Sequence, residues 1–113
     1  MATASQPTSH TEVTVCPVEQ AIRIIGGKWK MLVLRSLLLN GPQRYNELLS
    51  AVSGISAKEL TRNLGQLAAS GLLAHGCTET ARNEAYELTE LGRELMPVFS
   101  QLLTWGQKLK PQS

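Results

Sequence analysis

The sequence predicts a mainly α-helical domain with one small β-hairpin. Three observations carry that expectation. Apolar residues recur at helical spacing over much of the 113-residue chain. Helix-start signals stand at Cys16-Pro17, at Ser56–Glu59 and at Thr89. One stretch, "LLAHGCTETARNEAYELT", reads instead as two short strands around a polar loop. The length suits a single domain whose modest core gains from dimerisation.

Residues 1–13 are polar and rich in Ser and Thr, which suggests a flexible N-terminal arm ahead of a domain spanning 14–110. A first helix starts at Pro17 with Cys16 as its N-cap, because the missing proline N–H has no intrahelical partner there anyway. Glu19 occupies the capping-box position, Ala21, Ile22 and Ile25 give an apolar face, and Gly26-Gly27 break the helix. A second helix runs from Lys28 to Leu39, with Trp29, Leu32, Val33 and Leu37 at helical spacing. Asn40-Gly41 offers a left-handed stop, and Pro42 prevents continuation. A short helix follows from Asn46 to Val52. Ser53-Gly54-Ile55 makes a tight connection, and Ser56-Ala-Lys-Glu59 is a capping box opening the next helix. On that helix Leu60, Leu64 and Leu67 share one side, at i, i+4 and i+7. Lys58, Arg62, Gly65 and Gln66 take the other, with Thr61 at the edge. Gly71 ends it. Strands are expected over Leu72–Cys77 and Glu84–Leu88. Thr89 then caps a long helix reaching Lys110, kinked at Pro97, with Leu91, Leu95, Phe99 and Leu102 in one stripe.

Composition excludes several function classes. The chain has no Asp and only two His, His10 and His75, so a Ser-His-Asp triad in its usual form is ruled out and metal clusters have almost no material. No cofactor or metal site is implied. Cys16 and Cys77 stand far apart, without a CxxC. The N-terminus lacks the basic start and apolar run of a signal peptide. No apolar run is long enough to span a bilayer, so no membrane role is expected and the cytoplasm is the default location. The net charge of +2 says little, but its distribution says more. Residues 28–62 hold Lys28, Lys30, Arg35, Arg44, Lys58 and Arg62 against Glu47 and Glu59, whereas residues 79–94 hold five Glu against Arg82 and Arg93. One face can be basic while another is acidic.

The order helix, short helix, tight turn, helix, hairpin, helix is that of a winged helix-turn-helix. The helix after the turn suits a DNA major groove: apolar inside, polar and long-armed outside. Lys58 and Arg62 can donate to phosphates or guanine edges, and Gln66 can pair with adenine. Gly65 leaves space for close approach. The candidate DNA contacts are Ser56, Lys58, Thr61, Arg62 and Gln66 on this helix, Arg44 ahead of the short helix, and Arg82 and Asn83 in the hairpin loop. Any surface helix also has a polar outer face, so the pattern alone leaves a purely structural reading open.

The motifs "CPVEQAIRIIGGKW", "GPQRYNEL", "GISAKELTRNLGQLAASGLL", "YELTELGREL", "MPVF" and "LLTWG" resemble, in order and spacing, the HxlR-type branch of the MarR-like winged-helix transcription regulators. They cover roughly residues 16–106. The resemblance implies a homodimeric, DNA-binding regulator acting on a palindromic operator, with the first and last helices forming the dimer interface. Ile22, Leu95, Phe99, Leu102 and Trp105 are the candidate interface residues. The sequence departs from the family in the wing: the usual Pro-Pro-x-Val-Glu-Tyr is replaced by "TARNEAY", without prolines and with Ala85 at the Glu position. The wing therefore has more conformational freedom, and the altered loop motivates a second reading, a winged-helix protein–protein adaptor without specific DNA readout. A third, an enzyme using Cys16, lacks a paired base.

Cys16 has two readings. A thiol at a helix N-terminus faces the positive end of the helix dipole, which favours thiolate, the form that oxidants attack. Some members of the resembled family sense oxidants or electrophiles through a cysteine just before this proline, so Cys16 is a redox-sensing candidate. The other reading is simply a small, half-buried capping residue, and the nearby Glu19 opposes thiolate formation. Cys77 suits a strand core; it is a resolving partner only if the dimer brings it near Cys16. Trp29 and Trp105 read as core or interface anchors, or as the lining of a small effector pocket. His75 reads as a strand-end residue. Tyr45 and Tyr86 suit packing or contact with the DNA backbone.

Overall fold

A computed structural model describes residues 16–76 and 85–110. Helix α1 spans Pro17–Ile25 and starts as expected, with Cys16 at the N-cap and proline in its first turn; the Cys16 side chain makes no capping hydrogen bond. Gly27 then takes φ +99°, a value that disfavours any residue with a Cβ, and turns the chain into α2, Lys28–Asn40. Gly41 ends α2 in the same left-handed region, with its N–H on the Leu37 carbonyl. A two-residue strand β1, Gln43–Arg44, leads into α3, Tyr45–Ala51, and α4 covers Ala57–Ala69. Strands β2, Leu73–His75, and β3, Ala85–Leu88, follow, and then α5, Glu90–Arg93, and α6, Met96–Gly106.

The sheet is antiparallel in the order β1-β3-β2. Tyr86 sits at the middle of one row, opposite Gln43 on one side and His75 on the other. The third strand, β1, is absent from the sequence expectation. Two residues beside a proline carry no alternation to read, and Gln43 is polar yet buried. Its amide is satisfied locally: Nε2 donates to the Ser36 carbonyl at 3.1 Å and to Ser36 Oγ at 2.9 Å. This pair pins β1 to α2.

The core lies where α2, α3 and α4 meet the sheet. Val33, Leu34, Leu37, Leu48, Leu60, Leu64, Leu67, Leu72, Leu73 and Leu88 are all buried there. Val33, Leu37, Leu60, Leu64 and Leu67 are inward positions that the helical spacing marks; Leu34 is buried although the spacing does not mark it, and Trp29 and Leu32, which the spacing marks, are only half-buried. The expected strand ends Cys77 and Glu84 lie outside the described residues, as does the 1–13 arm.

The long last helix is two helices. The side chain of Thr89 caps α5 by accepting the Gly92 N–H at 3.1 Å, while its hydroxyl donates to the Gly71 carbonyl at 2.7 Å. Glu94 and Leu95 then leave the helix in a tightened turn; Leu95 N–H bonds to the Gly92 carbonyl at 3.1 Å, three residues back. Pro97 explains the break: it has no N–H, and its ring clashes with the carbonyl four residues earlier, that of Arg93. The proline instead lies in the first turn of α6.

Candidate nucleic-acid interface

The site is built on α4. Its start is fixed by side chains close in sequence. Ser56 Oγ accepts the Glu59 N–H at 3.1 Å, and Glu59 Oε1 accepts the Ser56 N–H at 3.3 Å. Glu59 is thereby folded back on the helix end, the arrangement of a capping box. The carboxylate sits at the positive helix end, where negative charge is favourable.

Leu60, Leu64 and Leu67 anchor the inner face of α4 in the core, and Asn63 joins them, its amide donating to the Glu59 carbonyl at 2.6 Å. Lys58, Thr61, Arg62, Gly65 and Gln66 are all exposed. The two faces divide as the 3.6-residue period requires. A Cβ at Gly65 would meet nothing within 4 Å, so the surface there is open.

A longer-range contact positions α4 against α3. Tyr45 Oη donates to the Ala57 carbonyl at 2.8 Å and lies 2.9 Å from Thr61 Oγ1. This tie spans 16 positions in sequence and has no signature in the spacing of residues. Beside it, Arg44 is exposed, and its backbone N–H donates to Glu47 Oε1 at 2.7 Å. A guanidinium accepts no hydrogen bond, so Glu47 alone caps α3.

Arg44, Tyr45, Asn46, Glu47, His75 and Tyr86 line a cleft of about 610 Å³ between the start of α3 and the base of the hairpin. His75 and Tyr86 stack across β2 and β3 with ring centres 3.9 Å apart and planes 2° from parallel. His75 is thus engaged at the strand end, in line with the expectation for it. Burial first, and the Tyr45 phenol second, push the Tyr86 hydroxyl above its ordinary pKa. Arg82 and Asn83 lie outside the described residues, so the structure says nothing of their place beside this cleft.

Away from α4, helices α1 and α6 expose apolar side chains. Ile22 is 61 % exposed on α1, while Leu102 and Trp105 on α6 are 41 % and 59 % exposed. Leu95 and Phe99 are half-buried against the core. Cys16 is exposed at the start of α1, not half-buried as expected of a capping residue, because its side chain makes no capping hydrogen bond and α1 buries no residue; Trp29 is half-buried, with the Lys28 ammonium 4.5 Å from its ring centre. Among the described residues no three His, Cys, Asp or Glu side chains group to hold a metal, and no helix is long and apolar enough to cross a membrane.

The HxlR-like helix-turn-helix family model matches residues 24–113. The chain is 40 % identical over 92 residues to an uncharacterised HTH-type transcriptional regulator, YkvN of Bacillus subtilis, covering 80 % of this chain and 77 % of that protein. Among solved structures it is similar to the redox regulator HypR in its oxidised form, with a TM-score of 0.73 and 33 % identity over 86 % of this chain and all of that one. It is also similar to quinone-bound YodB from B. subtilis, with a TM-score of 0.72 and 28 % identity over 83 % of this chain and all of that one. These relatives do not favour the adaptor reading or an enzymatic one. The chain belongs to the HxlR-like helix-turn-helix family and is a DNA-binding transcriptional regulator.

Proposed function

We propose that the protein acts as a homodimer on a palindromic operator in double-stranded DNA, inserting α4 into the major groove. The observation that carries this reading is the division of α4. Its leucines are locked in the core while Lys58, Thr61, Arg62 and Gln66 stand exposed behind a capped N-terminus. Arg44 extends the same basic side, and Arg82 and Asn83 in the hairpin loop reach the adjoining backbone. Ser56 holds the helix start and contacts a phosphate. The exposed apolar side chains Ile22 on α1 and Leu102 and Trp105 on α6 pair with their counterparts in the second copy, with the half-buried Leu95 and Phe99 beneath them. Two half-sites about one DNA turn apart, ~10 bp, follow from that symmetry. Selection from a random duplex pool tests it: a palindrome with that spacing supports the reading, and an asymmetric or absent consensus contradicts it.

DNA binding responds to oxidants or electrophiles through Cys16. Its exposure at the start of an interface helix supports this, as does the likeness to a redox regulator and a quinone-bound regulator. A modified thiol there shifts α1 and with it the separation of the two α4 helices. Benzoquinone weakens operator binding by the wild-type protein and leaves Cys16→Ser unaffected; an equal response in both removes Cys16 from the role.

A further inference from the structure

The Tyr45–Thr61 contact fixes which way a hydroxyl hydrogen points. Tyr45 Oη lies 2.8 Å from the Ala57 carbonyl oxygen and 2.9 Å from Thr61 Oγ1. A carbonyl oxygen only accepts, and a phenol has one hydrogen. That hydrogen is engaged by Ala57. The second contact therefore needs Thr61 as donor and Tyr45 as acceptor. The chain Thr61 O–H to Tyr45 O–H to Ala57 C=O runs in one direction, each bond polarising the next. Thr61 has only one hydroxyl hydrogen as well. Turned inward, it leaves only oxygen lone pairs and a methyl group for whatever lies outside, and Thr61 is exposed on α4 between Lys58 and Arg62.

We propose that Thr61 is a specificity-determining residue that reads an exocyclic amino group in the major groove, cytosine N4 or adenine N6, and that Tyr45 is the positioning residue that sets this polarity. The inference rests on α4 being the groove-reading helix. A threonine hydroxyl ordinarily serves as donor or acceptor and so discriminates poorly. With its hydrogen held by Tyr45 it can only accept. The groove edges of guanine N7 and O6, adenine N7 and thymine O4 are all acceptors, as are phosphate oxygens, so none of these satisfies Thr61. Only the amino groups donate. The position along α4 agrees, since residues near the N-terminal end of a recognition helix reach base edges.

The test uses duplexes selected by the wild-type protein from a random pool. Each adenine is then replaced singly by purine, and each cytosine by 2-pyrimidinone, which removes the exocyclic amino group alone. Affinities are measured for wild type, Thr61→Val, Tyr45→Phe and Arg62→Ala, all checked for folding by thermal melts. Loss of base pairing affects every protein alike and cancels in the ratio to wild type. One position per half-site should cost the wild type about threefold to tenfold when its amino group is removed, the worth of one hydrogen bond. Thr61→Val should abolish that sensitivity at that position alone, and its base type says which amino group is read. Tyr45→Phe frees the hydroxyl to donate, so the same position should tolerate guanine or thymine better than in wild type by about threefold or more. Sensitivity maps for Thr61→Val and Tyr45→Phe that match the wild type overturn the inference. If Arg62→Ala weakens binding while those maps stay unchanged, only this inference falls. If the pool yields no consensus, the groove-reading assignment of α4 falls and takes this one with it.

Discussion

Replacing Ser56 in two ways separates what the cap does for the fold from what it does for DNA. Ser56→Ala removes the acceptor for the Glu59 N–H, a bond of 3.1 Å, and the partner of Glu59 Oε1 at 3.2 Å, leaving only the 3.3 Å bond from the Ser56 N–H. The group is exposed, so water replaces part of the loss, and the cost is that of an ordinary N-cap, about 1 kcal/mol. For a domain of this size that lowers Tm by about 4 °C. Fraying of the first turn also loosens Lys58 and Thr61, so DNA binding weakens with stability. Ser56→Asp keeps an acceptor at the N-cap and adds favourable charge at the helix start, so Tm holds or rises. In the proposed complex, however, the added charge faces phosphates. At about 5 Å in water it costs roughly 0.8 kcal/mol, or about 1.7 kcal/mol over two half-sites, which is an affinity loss of about fifteenfold at low salt. Thermal melts and anisotropy titrations on both variants give the answer. A Tm unchanged in Ser56→Ala refutes the capping argument, and DNA affinity unchanged in Ser56→Asp refutes the placement of this helix end beside phosphates.

Five further outcomes are expected. Lys58→Ala should make the salt dependence of DNA binding shallower by about 1.8 in log–log slope, two phosphate contacts per dimer, whereas Arg62→Ala should cost about 1–3 kcal/mol per half-site and relax specificity at one base pair, both read from titrations at several salt concentrations. Gly92→Ala should destabilise the fold by about 1–3 kcal/mol in a urea melt, because a Cβ there collides with the Leu72 carbonyl and presses on Leu88 Cδ2 at 3.1 Å. If the proposed homodimer pairs through α6, Trp105→Glu should raise the dimer dissociation constant by about 10³-fold in sedimentation, since each change would be made twice across its two-fold axis. Tyr86 binds its proton more tightly when folded, so its contribution to stability is complete below about pH 10 and is lost as pH rises through its folded pKa; ultraviolet titration should find its ionisation above the ordinary tyrosine range, closer to it in Tyr45→Phe.

The parts of this fold that were legible in the sequence are those held by near neighbours. Ser56 and Glu59 are three residues apart, and their hydrogen bonds declare the start of α4 whatever surrounds it. The leucines of α4 repeat at the helical period, so its buried and exposed faces could be told apart before any tertiary contact was known. Thr89 and Gly41 mark ends of helices for equally local reasons. What could not be read depends on distant partners. Strand β1 exists because β3 pairs with it and because Ser36 satisfies Gln43. The hydroxyl of Tyr45 meets Thr61 only after the turn between α3 and α4 has brought them together. At Pro97 the physics was visible but its extent was not: a kink was expected, and the chain instead leaves the helix for two residues before resuming.

On the proposed function, the exposed face of α4 reads a DNA sequence. The most direct measurement is a fluorescence anisotropy titration of the reduced protein at near-physiological salt. The probes are the DNA upstream of its own gene and a shuffled duplex of equal length. Binding to the upstream DNA tighter by about 10³-fold or more, with that preference reduced by about tenfold or more in Arg62→Ala, is the predicted result. Equal affinity for both duplexes, or a preference that survives Arg62→Ala unchanged, would contradict the assignment of this face.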